Sequence, residues 1–275
     1  MSGHEQASAA GSEFYDTTYG SFADQLNATI RSEAFGEEIG QNSWLTADEY
    51  RGFFTSLDLG ASSDVLEVAS GSGGPALFMA REIGCRVTGV DLHDAGVVAA
   101  NAAAEEQGLS DRARFVRGDA REPLPFEDGS FDALVCIDSI NHMYERPRVL
   151  GDWHRVLRSG GRLLFTDPIT VTGMIRREEM VERSGSMGEF VFTAPGVDQM
   201  LLEAAGFEEI RVEDVTPNMA AVAAAWREAR ACHAADLDQI EGAEANARFQ
   251  KFLGVVERLA SERRLSRFAY LARKP

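Results

Sequence analysis

The chain has 275 residues, including 26 Gly, 8 Pro and 3 Cys; with 44% hydrophobic and 26% charged residues it is of ordinary globular composition. That excludes collagen-like, mucin-like and wholly disordered chains. Its 27 Lys and Arg against 44 Asp and Glu give a net charge of −17, which sets the surface against phosphate backbones and anionic membranes and argues against sequence-independent nucleic-acid binding.

Residues 1–12 read as a disordered leader, with neither the basic nor the apolar region of a signal peptide. No stretch approaches the roughly 18 apolar residues of a membrane span. A soluble, cytoplasmic protein is therefore expected. From Phe14 to Leu59 the spacing predicts helices, with Phe22, Leu26 and Ile30 recurring every four residues. The period then changes to a strand at Asp64–Ala69, ending in Ser70-Gly71-Ser72-Gly73-Gly74. There follow a helix at Pro75–Ile83, a strand at Cys85–Asp91, an Ala-rich helix from Ala95 to Gln107 and a strand at Arg114–Arg117. Further strands are expected at Phe131–Ile137 and Arg162–Thr166, around a helix at Arg148–Leu157. The stretch Ile169–Pro195 lacks this rhythm. A helix at Ala194–Ala205, a strand at Phe207–Val215, a mostly helical block to Arg264 and a last strand at Leu265–Leu271 complete the chain. Strands alternating with helices in this way predict an α/β fold with a parallel sheet and right-handed crossovers.

Three features fall at successive strand ends. The turn Glu67-Val68-Ala69-Ser70-Gly71-Ser72-Gly73-Gly74 joins a strand to a helix, where small residues let a ligand approach the backbone and the helix N-terminus offers free N–H groups. Asp91 ends the second strand, where a carboxylate accepts from the vicinal hydroxyls of a ribose. Asp119, in Gly118-Asp119-Ala120, ends the third and is placed to accept from an adenine amine. The glycines alone suit a dinucleotide equally well. Glu67, however, would repel a pyrophosphate and welcome a cationic amino-acid moiety, and a ligand with adenosine at one end and an ammonium at the other fits the whole set.

With Val90-Asp91-Leu92, Phe131–Ile137 and Val156–Leu163, these residues resemble the ordered motifs of class I S-adenosylmethionine-dependent methyltransferases over about residues 60–170. Ala69 stands where many members have Gly. The resemblance implies a Rossmann-like, seven-stranded, mostly parallel sheet with an antiparallel last strand, plus helical lid additions at 13–59, about 169–193 and about 216–263 of a domain spanning 60–275. It also implies S-adenosyl-L-methionine as co-substrate and S-adenosyl-L-homocysteine as product. The implied cofactor contacts are Ser43, Trp44, Glu67, Ala69, Gly71, Gly73, Asp91, Leu92, Asp119, Ala120, Ile137 and Asp138. The nearest likeness is to the small-molecule branch, which includes sugar O-methyltransferases and enzymes of natural-product biosynthesis. Its members carry a run like Asp138-Ser139-Ile140-Asn141-His142-Met143 after strand four and an Asp, here Asp167, after strand five. Gly40–Leu45 resembles the segment that folds over the cofactor's methionine end.

The expected partner is a small, partly apolar acceptor, with neither nucleic acid nor membrane involved and homo-oligomerisation left open. A hydroxyl acceptor needs a base. His142 is the candidate, with Asp167 to orient its ring, and Tyr15 is a candidate to close over the sulfonium through a cation–π contact. No His, Asp or Glu set has metal-ligand spacing, so no metal is expected. Two alternatives stand beside this reading. One is a cofactor-binding protein that does not methylate, such as a cyclase or regulator. The other is an NAD-dependent oxidoreductase, disfavoured by Glu67 and Asp119.

Overall fold

The computed structural model describes residues 25–184 and 190–275, so the expected leader and the first part of the N-terminal helical block fall outside it. The chain enters through helices α1 (Gln25–Phe35) and α2 (Ala47–Leu57). It then alternates β1 (Asp64–Val68), α3 (Gly74–Ile83), β2 (Arg86–Asp91), α4 (Asp94–Glu106), β3 (Ala113–Arg117) and β4 (Phe131–Cys136). A 3-10 turn at Ile140–His142 leads to α5 (Arg146–Val156), β5 (Leu157–Val171), α6 (Arg177–Ser184), α7 (Val197–Ala204) and β6 (Glu208–Asp214). Helix α8 (Thr216–Cys232), the short α9 (Ala234–Leu237), a π-helical turn at Asp238–Gly242, α10 (Ala243–Ser261) and β7 (Leu265–Arg273) complete it.

Local chemistry sets several of these boundaries. Pro75 stands in the first turn of α3, where its missing N–H costs nothing, and Gly84 closes that helix in the left-handed region. Thr46 caps α2 by accepting from the Glu49 N–H at 3.3 Å. The Thr46-x-x-Glu49 spacing is that of a capping box, yet the Glu49 carboxylate turns away to a buried arginine.

The seven strands order β3-β2-β1-β4-β5-β7-β6. From β3 to β5 all pairings are parallel, while β7 runs antiparallel to both β5 and β6, as the resemblance implies. The order reverses between β1 and β4, which opens a crevice at the carboxyl ends of the strands beside β1. One sheet face is covered by α2, α3 and α4, packed through residues such as Tyr50, Phe53, Phe78 and Leu77. The other is covered by α5 and α7, through Trp153, Leu150 and Leu202. A third core joins α1, α8 and α10, with Ile30, Phe35, Met219, Leu253 and the Trp44 ring buried together.

Strand β5 differs from its expected end at Thr166. It continues past Pro168 to Val171 because β7 supplies antiparallel partners, Thr170 opposite Ser266 and Val171 opposite Leu265. A register shift between Asp167 and Thr170 takes up the proline, which has no N–H to donate. Beyond it, part of the stretch expected to be irregular forms α6, held by the buried Glu179 to Arg264.

Strand β7 carries Ala269 and Leu271 into the core that α2 covers, and Arg267, in the same row, is fully buried. Its Nε donates to Asp138 Oδ1 at 2.7 Å and its Nη1 to Glu49 Oε2 at 2.6 Å. The remaining oxygen of Asp138 accepts the Trp44 N–H at 2.9 Å, and Thr166 donates to Oδ1 at 2.7 Å. This network ties β4, β5, β7, α2 and the loop before α2 together. Removing one partner of a buried ion pair leaves an uncompensated charge, so Arg267→Ala is expected to destabilise the protein by about 3–5 kcal/mol. Urea unfolding at neutral pH measures this, and a loss below about 1 kcal/mol, typical of an exposed pair, would contradict it.

Candidate functional site

The crevice beside β1 gathers most of the residues singled out in the sequence. Ser70 stays bonded to β2 through its N–H to the Val90 carbonyl at 3.2 Å, and the turn then reverses into α3. Ala69 has φ 57°, Gly71 φ 53° and Gly73 φ 80°. The left-handed Ala69 accounts for the glycine usual at that place, since a Cβ there costs on the order of 1–2 kcal/mol.

Two glycines of the turn also have a packing reason. A Cβ on Gly73 would lie 2.7 Å from the Phe115 ring, and one on Gly74 would strike the Gly40 carbonyl. It is the protein's own loop and ring that approach the backbone closely at these two positions. Gly73 is therefore a packing glycine as much as a ligand-facing one.

Asp91 is 4% exposed and held from both sides. Its Oδ2 accepts the Gly71 N–H at 2.8 Å and its Oδ1 accepts the His93 N–H at 2.9 Å. Each oxygen keeps a further lone pair, so the carboxylate is oriented by the backbone and still able to accept two more bonds. Burial raises its pKa, against the lowering effect of the His93, Gly71 and Leu92 N–H groups and of His93 itself. Leu92, next to it, is partly exposed on the crevice rim.

Glu67 is 3% exposed, and its Oε2 has no hydrogen-bond partner among the described residues. Ser70 Oγ, three residues on, and the buried Tyr50 hydroxyl are also without partners. The Tyr50 hydroxyl is pushed up first by burial and then by the Glu67 charge, which places the two groups near each other. Burial, followed by the Asp91 carboxylate, pushes Glu67 up to about 8. Unsatisfied buried polar atoms are rare and costly, and here three of them border one turn.

The other cofactor candidates divide. Asp119 is half-buried, and Arg121 forks onto it through Nε and Nη2 at 2.9 and 2.7 Å, which holds its carboxyl below the usual range. An amine arriving there competes with that fork. Ala120 packs under the α5 face and Ile137 under the α2 face. Ser43 Oγ accepts the Leu45 N–H at 3.3 Å. The Trp44 ring lies in the third core against Trp226 and Phe252, so it is the Trp44 backbone, bonded to Asp138 and Asn218, that faces the crevice wall. Asp138, with φ 51°, spends both its oxygens on Trp44, Thr166 and Arg267. It anchors the loop rather than presenting a free carboxylate.

The catalytic candidates need a correction too. His142 ends the 3-10 turn after β4, its ring centroid 4.8 Å from that of Phe190. Asp167 does not orient it. That carboxylate is fully buried on the α5 side, accepting from Arg146 Nη1 at 2.8 Å, Thr193 Oγ1 at 3.2 Å and the Ile169 N–H at 3.1 Å. A buried carboxylate takes the strongest donor within reach, which is a guanidinium. Tyr15 lies outside the described residues. Arg146, Asp198 and Arg267 escaped the sequence reading. A signal for Arg267 was present, a charged residue in the inward row Leu265, Arg267, Ala269, Leu271; Arg146, at a helix start, gave none. A groove of about 630 Å³, lined in part by Arg162, Arg211 and Arg273, lies at the opposite end of the strands and touches none of these residues.

Residues 66–165 match a family model described as a methyltransferase domain. The chain is 33% identical over 209 residues to 27-O-demethylrifamycin SV methyltransferase of Amycolatopsis mediterranei (strain S699), covering 72% of this chain and 75% of that protein. A solved structure of Haemonchus contortus phosphoethanolamine N-methyltransferase 2, in complex with phosphomonomethylethanolamine and S-adenosylhomocysteine, shares the fold with a TM-score of 0.80 at 20% identity. That alignment covers 96% of this chain but only 60% of the other. The structure of the [4+2]-cyclase SpnF is similar at 25% identity with a TM-score of 0.73, covering 96% of this chain and 95% of that one.

The buried Glu67 makes a testable statement about the free protein. A carboxyl that ordinarily titrates at 4.5 and is raised to about 8 on folding contributes stability that is complete below pH 4.5 and lost as the pH rises to about 8. Glu67→Gln removes that titration. The melting temperature of the variant relative to the natural protein is expected to rise between pH 5 and pH 8 by several degrees, at roughly 2–4 °C per kcal/mol. Parallel pH profiles for the two proteins would contradict it.

Proposed function

Because the chain belongs to the class I S-adenosylmethionine-dependent methyltransferases, we propose that it transfers a methyl group to a small, partly apolar acceptor of specialised metabolism. The observation that carries this reading is Glu67. A carboxyl buried beside the glycine turn, with its Oε2 unpartnered among the described residues and within electrostatic reach of Asp91, suits a ligand that brings its own ammonium. The site fits such a ligand at a second point, since the ribose carboxylate is pre-oriented with acceptor capacity to spare.

S-adenosylmethionine, when bound, supplies a methyl already activated on a sulfonium. The protein's tasks are to position, to exclude water and, for some acceptors, to take a proton. Glu67 balances the ammonium side, directly or through water, and Asp91 accepts from the ribose hydroxyls. Asp119 and Ala120 border the adenine, and Leu92 flanks it. The helical layer that includes α1 and the loop before α2, the described residues of the segments 169–184 and 190–193, and the α8–α10 block serve as lids over the strand ends. His142, beside Phe190, is the group placed to remove a hydroxyl proton, as an imidazole can. Asp167 is engaged elsewhere, and the 3-10 turn and the Phe190 ring both bear on how His142 sits.

A second reading has a specific observation in its favour, the likeness to a [4+2]-cyclase over almost the full length of both chains. Binding residues and catalytic competence are separable on one fold. One experiment distinguishes the two. Each acceptor candidate is incubated with the protein and isotopically labelled S-adenosylmethionine, and product mass is read. A methyltransferase adds one labelled methyl and consumes the donor, whereas a cyclase leaves mass and donor unchanged. For an O-methylated acceptor, His142→Ala is expected to lower kcat by about 10²–10⁴, and an N-methylated one should be spared. An unchanged kcat in O-transfer would remove His142 from the base role.

A further inference from the structure

A second buried charge cluster lies on the α5 side of the sheet, across from Arg267. Arg146, in the first turn of α5, is 3% exposed. Its Nη1 donates to Asp167 Oδ2 at 2.8 Å and to Asp198 Oδ1 at 2.6 Å. Its Nη2 reaches the Val191 carbonyl at 3.2 Å. Asp198, in the first turn of α7, is fully buried and has an unpartnered Oδ2. One guanidinium therefore joins β5, the start of α5, the start of α7 and the segment 190–193.

That segment belongs to no helix. Phe190 and Phe192 pack against the cluster of Ile169, Val255, Leu259 and Leu265, and the Thr193 and Thr170 hydroxyls lie 3.5 Å apart, but its polar ties to the chain among the described residues are few. The Val191 N–H donates to the Asn141 carbonyl at 2.8 Å, and the Val171 N–H donates to the Thr193 carbonyl at 2.7 Å. The Thr193 hydroxyl donates to Asp167 at 3.2 Å. Thus Arg146 grips the segment twice, directly at Val191 and through Asp167 at Thr193. The same segment begins with Phe190, whose ring roofs His142 with centroids 4.8 Å apart and planes at 51°. The Arg183 guanidinium lies over the same ring, 5.1 Å from its centroid.

An apolar cluster of similar volume would pack α5, β5 and α7 together at no desolvation cost. It could not, however, bond a carbonyl on a loop. We infer that Arg146 is a positioning residue, which with Asp167 and Asp198 fixes the 190–193 segment and so sets the height of the Phe190 roof above His142. Its structural half stands alone; its consequence for the acceptor chamber rests on the proposed function.

The test uses the full-length protein without an acceptor. Arg146→Lys keeps a cation beside the two carboxylates but loses the fork that reaches Val191. Thr193→Val keeps the shape and removes only the hydroxyl link, which guards against a variant that fails to fold. Hydrogen exchange read by mass spectrometry is expected to accelerate about tenfold or more over 190–193 in Arg146→Lys, and less in Thr193→Val, with peptides from β1 to β4 unchanged. In the same samples the His142 ring resonance is expected to move, because the Phe190 ring current acts on it. The His154 resonance, set against Phe207 at 5.0 Å, should stay in place. The affinity for S-adenosylhomocysteine should change by less than about twofold, well under the tenfold that 1.4 kcal/mol represents. Unchanged exchange over 190–193, a fixed His142 resonance, or loosening spread evenly through the sheet would overturn the inference. Failure of the natural protein to bind S-adenosylhomocysteine would overturn the proposed function instead, and leaves the exchange result to be read separately.

Discussion

One guanidinium holds the strand-end architecture in place. Arg267 is enclosed on a sheet face lined largely by aliphatic and aromatic side chains, and it survives there because Asp138 and Glu49 meet it at 2.7 and 2.6 Å. Through Asp138 the same charge reaches the Trp44 backbone, and the Trp44 ring in turn belongs to the core formed by α1, α8 and α10. Asn218, near the start of α8, closes the loop by donating to the Trp44 carbonyl at 2.8 Å. The helical layer is thus fastened to the sheet at the place where β4 ends and the crevice begins.

The two faces of the sheet repeat one device. On one, Arg267 bridges Asp138 and Glu49; on the other, Arg146 bridges Asp167 and Asp198. Each has one carboxylate more than its arginine can neutralise, and burial raises the pKa of Glu49 in the first and of Asp198, to about 6, in the second. Nearer β1, Glu67 keeps one oxygen, Oε2, without a partner among the described residues. The bridged carboxylates are occupied and hold pieces of chain. On the proposed function, Glu67 is the one that meets a ligand. This division separates anchoring from binding at a rim where every polar group would otherwise look alike.

Much of this fold was legible before any coordinates. The alternation of period-two and helical segments located the strands and crossover helices, because both are set by local pattern and by turn residues such as Gly108 and Pro75. Glu67, Asp91 and the glycine turn were legible for the same reason, lying at the ends of recognisable strands. What escaped depends on partners distant in sequence. Asp167 was assigned to His142 by proximity along the strand ends, whereas Arg146 claims it across the α5 interface. Trp44 resembled a cofactor contact, yet its ring needed Trp226 and Phe252 to show where it belongs. The extension of β5 beyond Pro168 was hidden because β7, nearly a hundred residues later, makes it.

The central claim is that the crevice beside β1 binds an adenosyl amino acid through Asp91 and Glu67. Isothermal titration of S-adenosylhomocysteine into the natural protein and into Asp91→Ala tests it most directly. Binding in the micromolar range, weakened at least about tenfold (1.4 kcal/mol) in the variant, is the result expected. No binding to the natural protein, or equal affinity in the two, would contradict it.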